Sequence, residues 1–319
     1  MEVGSFIELQ FPKGKEFFTG DGVARLNSGR AAICHAVRIL GCNVVYLPYY
    51  ECEAVRRYLI MQGITVRYYR LDSTFSPVLF SPENNAAVVI VNYFGIMSKR
   101  RMEMIASRFH NVIIDNAQAF FAPPVADCLN VYSARKFVGV PDGAYVVGEH
   151  ANQSLESYPR DYSSDTASFM LRRIEYGCDA DTYQLRMENE KRLDEADIRT
   201  MSVLTRTILD GTDYDEIQDK RKKNFFTACK LFGSINKIDP LMQYRDDCVP
   251  MVYPLEIEDD QLMVKMHENK LYQGHWWRYL LKEVEEDSFE YWLSRYMIPI
   301  TIDQRYGEKE LCFARQLID

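Results

Sequence analysis

The sequence predicts an α/β protein: a mostly parallel sheet sandwiched by helices, followed by a smaller C-terminal α/β domain. Two observations carry this. Short apolar runs such as 86–91 (AAVVIV) and 112–114 (VII) are what strands buried on both faces require. Helical segments separate them, and regular strand–helix alternation is the pattern of a parallel sheet with crossover helices. A length of 319 residues allows two domains at roughly 100–200 residues each.

In chain order, 30–40 (RAAICHAVRIL) places Ala32, His35, Ala36 and Ile39 at helical spacing. A strand at 43–47 is stopped by Pro48, and a helix at 53–62 ends at Gly63 in the C-cap region. Strands follow at 65–71 and 86–91, then a helix at 98–109 capped by Ser98. The strand at 112–115 ends in a carboxylate, and strands at 129–133 and 144–147 complete the set. From about 166 to 232 the pattern changes to charged helices at 172–193, 198–209 and 215–231. Strands at 251–255 and 297–302 and helices at 259–269 and 309–318 finish the chain. The domain boundary is expected near residue 160, giving a large domain at 1–160 and a helical connector with a small domain at 161–319.

Composition narrows the partners. Hydrophobic residues at 47% and charged residues at 26% describe a folded globular chain. With 38 Lys and Arg against 46 Asp and Glu, the net charge of −8 draws in neither nucleic acid nor an anionic membrane, so any anionic ligand needs a local cluster. The eight cysteines form no CxxC pair and no His lies at metal-ligand spacing from two of them, so no metal is expected. Reduced thiols in a cytoplasmic protein are the simplest reading. The N-terminal 1–18 carries charges within its apolar stretch, unlike a secretory signal, and the apolar run at 86–97 is too short to span a bilayer.

In open α/β sheets ligands bind beyond the carboxyl ends of the strands, and four pieces fall there. Asn27-Ser28-Gly29-Arg30 opens a helix, where free N–H groups and the helix dipole suit a phosphate, though Ser-Gly is also an ordinary cap. Asp115-Asn116-Ala117-Gln118 follows a buried strand and offers a carboxylate to a ligand cation or to a loop. Ser133-Ala134-Arg135-Lys136 places a lysine at a strand end, where desolvation makes an amine nucleophilic toward an aldehyde and solvation leaves it inert. Pro141-Asp142-Gly143-Ala144 leads into the next strand, with Gly143 free to turn tightly or accept a close neighbour.

The order and spacing of these pieces resemble the fold type I enzymes that use pyridoxal 5′-phosphate (PLP), specifically the DegT/DnrJ/StrS-like sugar aminotransferases. That family reads SGTxAL, a proline-bounded segment ending in Gly, a strand and Asp, EDxAQA, Ser before the Schiff-base Lys, and GEGG. Here the matching stretches are Ser28-Gly29-Arg30-Ala31-Ala32-Ile33, residues 48–63, Leu71-Asp72, Ile114-Asp115-Asn116-Ala117-Gln118-Ala119, Ser133-Ala134-Arg135-Lys136 and Pro141-Asp142-Gly143-Ala144. Ile298-Pro299-Ile300 with Asp303-Gln304-Arg305-Tyr306 is similar to the LPxDxRY ending, and Asp215-Glu216-Ile217 through Arg221 to a Leu-Asp-Glu-Ile and Arg helix.

The resemblance implies PLP as cofactor, carried on Lys136 as a Schiff base, with Asp115 paired to the pyridinium nitrogen and Gln118 near the phenolic oxygen. Ser28, Gly29, Arg30 and Ser133 would hold the phosphate, and the freed Lys136 would shuttle the proton. It implies amino transfer from glutamate or glutamine to a nucleotide-linked keto sugar, in nucleotide-sugar metabolism and polysaccharide biosynthesis, by a homodimer. The family's ring-stacking position falls on Cys52, so Tyr49 or, preferentially, Tyr50 is expected to stack. Arg30 stands in place of Thr, Ser133 lies three residues before Lys136, and the GYNYRM segment has no clear counterpart. Retention of Lys136 argues against the family's dehydratase branch, in which histidine replaces it. A sugar isomerase or dehydratase, or a non-catalytic binding or regulatory relative, are the other readings. His275-Trp276-Trp277 is expected in the core, His35 as a packed histidine, and 220–223 as a solvated helix face.

Overall fold

The computed structural model describes residues 3–318. Seven strands form the main sheet: β1 (Val23–Leu26), β2 (Val44–Pro48), β3 (Thr65–Tyr69), β4 (Ala86–Val91), β5 (Val112–Asn116), β6 (Leu129–Ser133) and β7 (Ala144–Val147). Their spatial order is β1-β7-β6-β5-β4-β2-β3. Only β7 runs against its neighbours. Every residue of β4, β5 and β6 is buried, as their apolar runs require of strands covered on both faces. Val91 lies beside Asp115, and Asp115 beside Val131, so the carboxyl ends of the three strands open on one edge.

Helices α1 (Gly29–Ile39), α2 (Glu53–Met61) and α3 (Lys99–Ala106) flank the sheet, with α1 against β1, β5, β6 and β7. Ser28 and Ser98 cap α1 and α3 by accepting the amides of Ala31 and Arg101 at 3.3 and 3.4 Å. Gly63 follows α2 at a φ of +78°, a conformation that favours glycine. His35 is a packed histidine: Nε2 lies 2.8 Å from the Ala151 carbonyl and Nδ1 3.1 Å from the Tyr158 hydroxyl.

Beyond the sheet the structure corrects the sequence reading in three places. The expected helix at 172–193 is two helices, α4 (Ser168–Tyr176) and α5 (Ala180–Glu195). Gly177 breaks it at a φ of +73°, and the Asp179 carboxylate restarts it by accepting the Thr182 amide at 2.7 Å. Residues 198–201 are extended, not helical. The Asn27 amide donates to the Arg199 carbonyl at 2.9 Å and the Met201 amide to the Arg25 carbonyl at 3.1 Å. This segment lies along β1, a four-residue strand that sequence patterning had not distinguished, and α6 (Val203–Asp210) begins only after it. The remaining elements are α7 (Tyr214–Phe232), β8 (Val252–Glu256), α8 (Leu262–Glu268), α9 (Phe289–Tyr296), β9 (Met297–Thr301) and α10 (Glu308–Ile318). Helix α9 was not anticipated, and β8 and β9 pair as a small antiparallel sheet. Among the described residues no helix is long and apolar enough to cross a membrane.

The loop between β6 and β7 is tied down by Asp142, which is fully buried. Its Oδ1 accepts the hydroxyls of Ser163, Ser202 and Thr205, and its Oδ2 accepts the Ser202 amide at 2.9 Å. Gly143 next to it has a φ of +118°, and a Cβ there would meet Thr205 Cγ2 at 2.8 Å. The glycine thus serves the close approach expected of it. Replacing Asp142 by Ala strands these donors in a dry environment and should destabilise the protein by at least about 3 kcal/mol in urea unfolding, with Asn recovering part of the loss.

Candidate active site

Lys136 ends a short 3-10 turn (Ala134–Lys136) directly after β6, and Asp115 occupies the penultimate position of β5. Strand adjacency therefore brings the two together at the sheet's carboxyl edge. Asp115 is 3% exposed and accepts the Ala117 amide at 2.7 Å. Burial pushes its carboxyl above the usual range, against the pull of the Lys136 ammonium and that amide. The Lys136 side chain itself is exposed. The desolvated amine considered from sequence is therefore not found; the groups facing it are the buried ones.

Gln118 is also buried, and its Oε1 accepts the Phe94 amide at 2.8 Å. This commits the oxygen to the turn after β4, where Phe94 has a φ of +59° and Gly95 one of +71°. A Cβ on Gly95 would lie 2.6 Å from the Gln118 carbonyl oxygen, so glycine is needed for the close approach. Ser28 and Gly29 open α1, and a Cβ on Gly29 would lie 3.9 Å from Ser133 Cβ. Helix N-terminus and strand end thus meet where sequence placed a phosphate. Asn27 is 1% exposed, with neither Nδ2 nor Oδ1 partnered among the described residues. Buried orphan groups of this kind fit a polar ligand.

The cations are less free than expected. Arg30 lies 3.8 Å from Glu190 and is also paired with Asp194, while Arg135 is paired with Glu190. Both acids belong to α5. Burial opposes ionisation of Glu190, but Arg135, Arg186 and Arg30 hold its carboxyl below the usual range.

Tyr50 does not stack in this site. Its ring is fully buried, 4.4 Å from Trp277 in an edge-on contact and 5.8 Å from Tyr93, leaving no face for a second ring. Tyr49 is engaged as well, stacked on Tyr68 at 5.0 Å with Arg70 over it at 4.4 Å. Cys52, half-buried before α2, keeps an electrostatic contact with Arg30. Trp276 and Trp277 pack against the core as expected.

Two residues escaped the sequence reading. Glu51 is 4% exposed, and its charge interacts with those of Asp115 and Lys136. A carboxylate between a strand-ending proline and a helix was its only signal. Arg221 was placed on a solvated face, yet it is 2% exposed. It donates to the Met251 carbonyl at 2.9 Å, to Gln304 Oε1 at 3.1 Å and to the Lys136 carbonyl at 3.4 Å. Its guanidinium lies 4.4 Å from the Phe137 ring centroid, and burial lowers its pKa to about 10. Spacing could have found it, since Ile217, Arg221, Phe225, Ala228 and Phe232 share the buried face of α7. Gln304 Nε2 donates to the Phe137 carbonyl at 2.8 Å, so the C-terminal motif braces the lysine turn.

No protein-family model matches the chain, and no curated protein does. Solved structures do. The sugar aminotransferase CalS13 from Micromonospora echinospora superposes with a TM-score of 0.64 at 16% identity, over 93% of this chain and 86% of that one. A DegT DnrJ EryC1 StrS aminotransferase from Brucella abortus gives 0.59 at 13% identity, over 93% and 84%. The E. coli GDP-4-keto-6-deoxy-D-mannose-3-dehydratase with bound hydrated PLP gives 0.61 at 12%, over 93% and 87%. The chain has the fold of these enzymes, a mostly parallel seven-stranded sheet with flanking helices.

Proposed function

We propose that the chain is a PLP-dependent aminotransferase that moves an amino group from glutamate or glutamine to a nucleotide-linked keto sugar, working as a cytoplasmic homodimer. The observation that carries this reading is the buried Asp115 facing Lys136 across two adjacent strand ends, with Ser28, Gly29 and Ser133 meeting beside them. It is supported by solved neighbours that include sugar aminotransferases and structures with PLP or PMP bound. When bound, the cofactor supplies an electron sink for negative charge developing at the substrate carbon.

The chain's own residues divide the remaining work. Asp115, whose charge Lys136 and the Ala117 amide favour, would hold a proton on the ring nitrogen. The Gln118 side-chain nitrogen is left for the phenolic oxygen, because Oε1 serves Phe94. Ser28, Gly29 and Ser133 present the helix terminus and hydroxyls to the phosphate, with Arg30 beside them. Lys136 Nζ is the amine that would hold the cofactor, and when free it would carry the proton between the amino-bearing substrate carbon and the cofactor carbon, as base and then as acid. Its exposure gives a sugar substrate access from solvent.

One observation favours a second reading, a relative that keeps the fold without the chemistry: Arg30 and Arg135 are already neutralised within the chain by Glu190 and Asp194. Incubation with PLP followed by borohydride and peptide mapping separates the two. The aminotransferase reading expects label on Lys136, loss of label and at least about a 10²-fold loss of glutamate half-reaction rate in Lys136→Ala. No label on any lysine supports the second reading. If the phosphate competes with α5 for the arginines, Glu190→Gln should tighten PLP binding by about threefold in a fluorescence titration.

A further inference from the structure

Glu51 is a carboxyl group that this reaction does not use. Its Oε1 accepts only the Cys52 amide, at 2.5 Å, and its Oε2 is buried without a hydrogen-bond partner among the described residues. Its backbone is held from the C-terminal side, where the Tyr279 hydroxyl donates to the Glu51 carbonyl at 2.7 Å.

The groups that interact electrostatically with the side chain come from five elements. Asp115 belongs to β5, Lys136 to the turn after β6, Tyr69 to β3, Tyr93 to the turn after β4, and Tyr279 to the turn before α9. The three phenols donate elsewhere: Tyr69 to the Val89 carbonyl at 2.7 Å, Tyr93 to the Tyr50 carbonyl at 2.6 Å, and Tyr279 to the Glu51 carbonyl rather than its carboxylate. They do not solvate an ionised Glu51. Two buried carboxyl groups therefore share the electrostatic influence of a single amine, itself open to water, and like charges in a dry site retain a proton between them.

We propose that Glu51 holds this proton at neutral pH, and that it is a positioning acid whose neutral form keeps a single negative charge beside Lys136. Burial, with Asp115 adding to it, pushes the Glu51 carboxyl up to about 8 against the pull of the Cys52 amide and Lys136. Ionised Glu51 adds a second negative charge to the site. It repels an anionic ligand from the neighbourhood of Lys136, so capture of an anionic carbonyl compound there acquires an upper pH limit. The part concerning Lys136 rests on the function proposed above; the proton on Glu51 does not.

Two cofactor-free measurements test the proton. With ¹³C-labelled glutamate side chains, the wild-type chain should show one carboxyl signal, absent from Glu51→Gln, that titrates near pH 8 instead of near 4.5. A Glu51 signal titrating below about 6 overturns the proposal. In the second, folded Glu51 keeps a proton that the unfolded chain releases, so the stability it lends is complete below about 4.5 and lost as pH rises through about 8. The thermal midpoint of wild type should fall relative to that of Glu51→Gln across this window, and a constant difference overturns the proposal.

Borohydride trapping of PLP tests the consequence. The yield on Lys136 in wild type should be about tenfold lower at pH 9 than at pH 7, following the neutral fraction of Glu51, and Glu51→Gln should lose this decline. Equal pH dependence in both chains overturns the role toward Lys136. No label in either chain overturns the function reading and that role together, and leaves the proton to be judged by the first two measurements.

Discussion

A carboxyl group buried at the end of a central strand is the constraint around which the candidate site is arranged. Asp115 sits on β5 between β4 and β6, where all three strands are covered on both faces and water does not reach the carboxyl. Its hydrogen bond to the Ala117 amide and the charge of Lys136 are what oppose protonation there. The position of the lysine is accordingly held through its backbone. Arg221 and Gln304 donate to the carbonyls of Lys136 and Phe137 from two separate parts of the chain. Only the backbone of Lys136 is braced; its side chain stays exposed.

Cations are gathered locally, against an overall charge of −8. Arg30 and Arg135 bring two cations to the N-terminal end of α1, and Glu190 and Asp194 of α5 answer them. Arg221 follows a different logic, buried among carbonyl oxygens with Asp303 as its electrostatic counterweight. A guanidinium suits that place because its several donors satisfy several carbonyls in one plane, which an ammonium cannot do.

The parts of the fold that could be read from sequence are those where one physical rule dominates. Strands β4, β5 and β6 are apolar throughout because burial on both faces demands it, and Ser28, Ser98 and Gly63 mark helix ends by chemistry specific to caps. Elements set by tertiary pairing were less visible. β1 is four residues with Arg25 among them, and 198–201 is extended because β1 offers it partners, not because its own sequence asks for a strand. Asp115 and Lys136 were recognisable because each follows a strong strand signal. Tyr50 was misplaced because sequence gives the distance from Pro48 but not which way the ring turns, and Trp277, more than two hundred residues away, fills that direction.

Charged residues around the candidate site also lie together in space, and their charges interlock. Arg30 adds a cation near Cys52, Glu190 and Asp194 neutralise cations on the same side, and Glu51 adds an acid next to Asp115. Had Glu51 been ionised, a second buried carboxylate would stand with Asp115 against one exposed amine and repel an anionic ligand. Had the arginines been unpaired, three cations would crowd one edge of the sheet. Each of these charges is unfavourable in isolation and tolerable in company, because in a desolvated setting it is the sum of charges, more than any one of them, that sets the electrostatic energy. The same summation lets a protonated Glu51 sit beside Asp115, where a second ionised carboxylate would not.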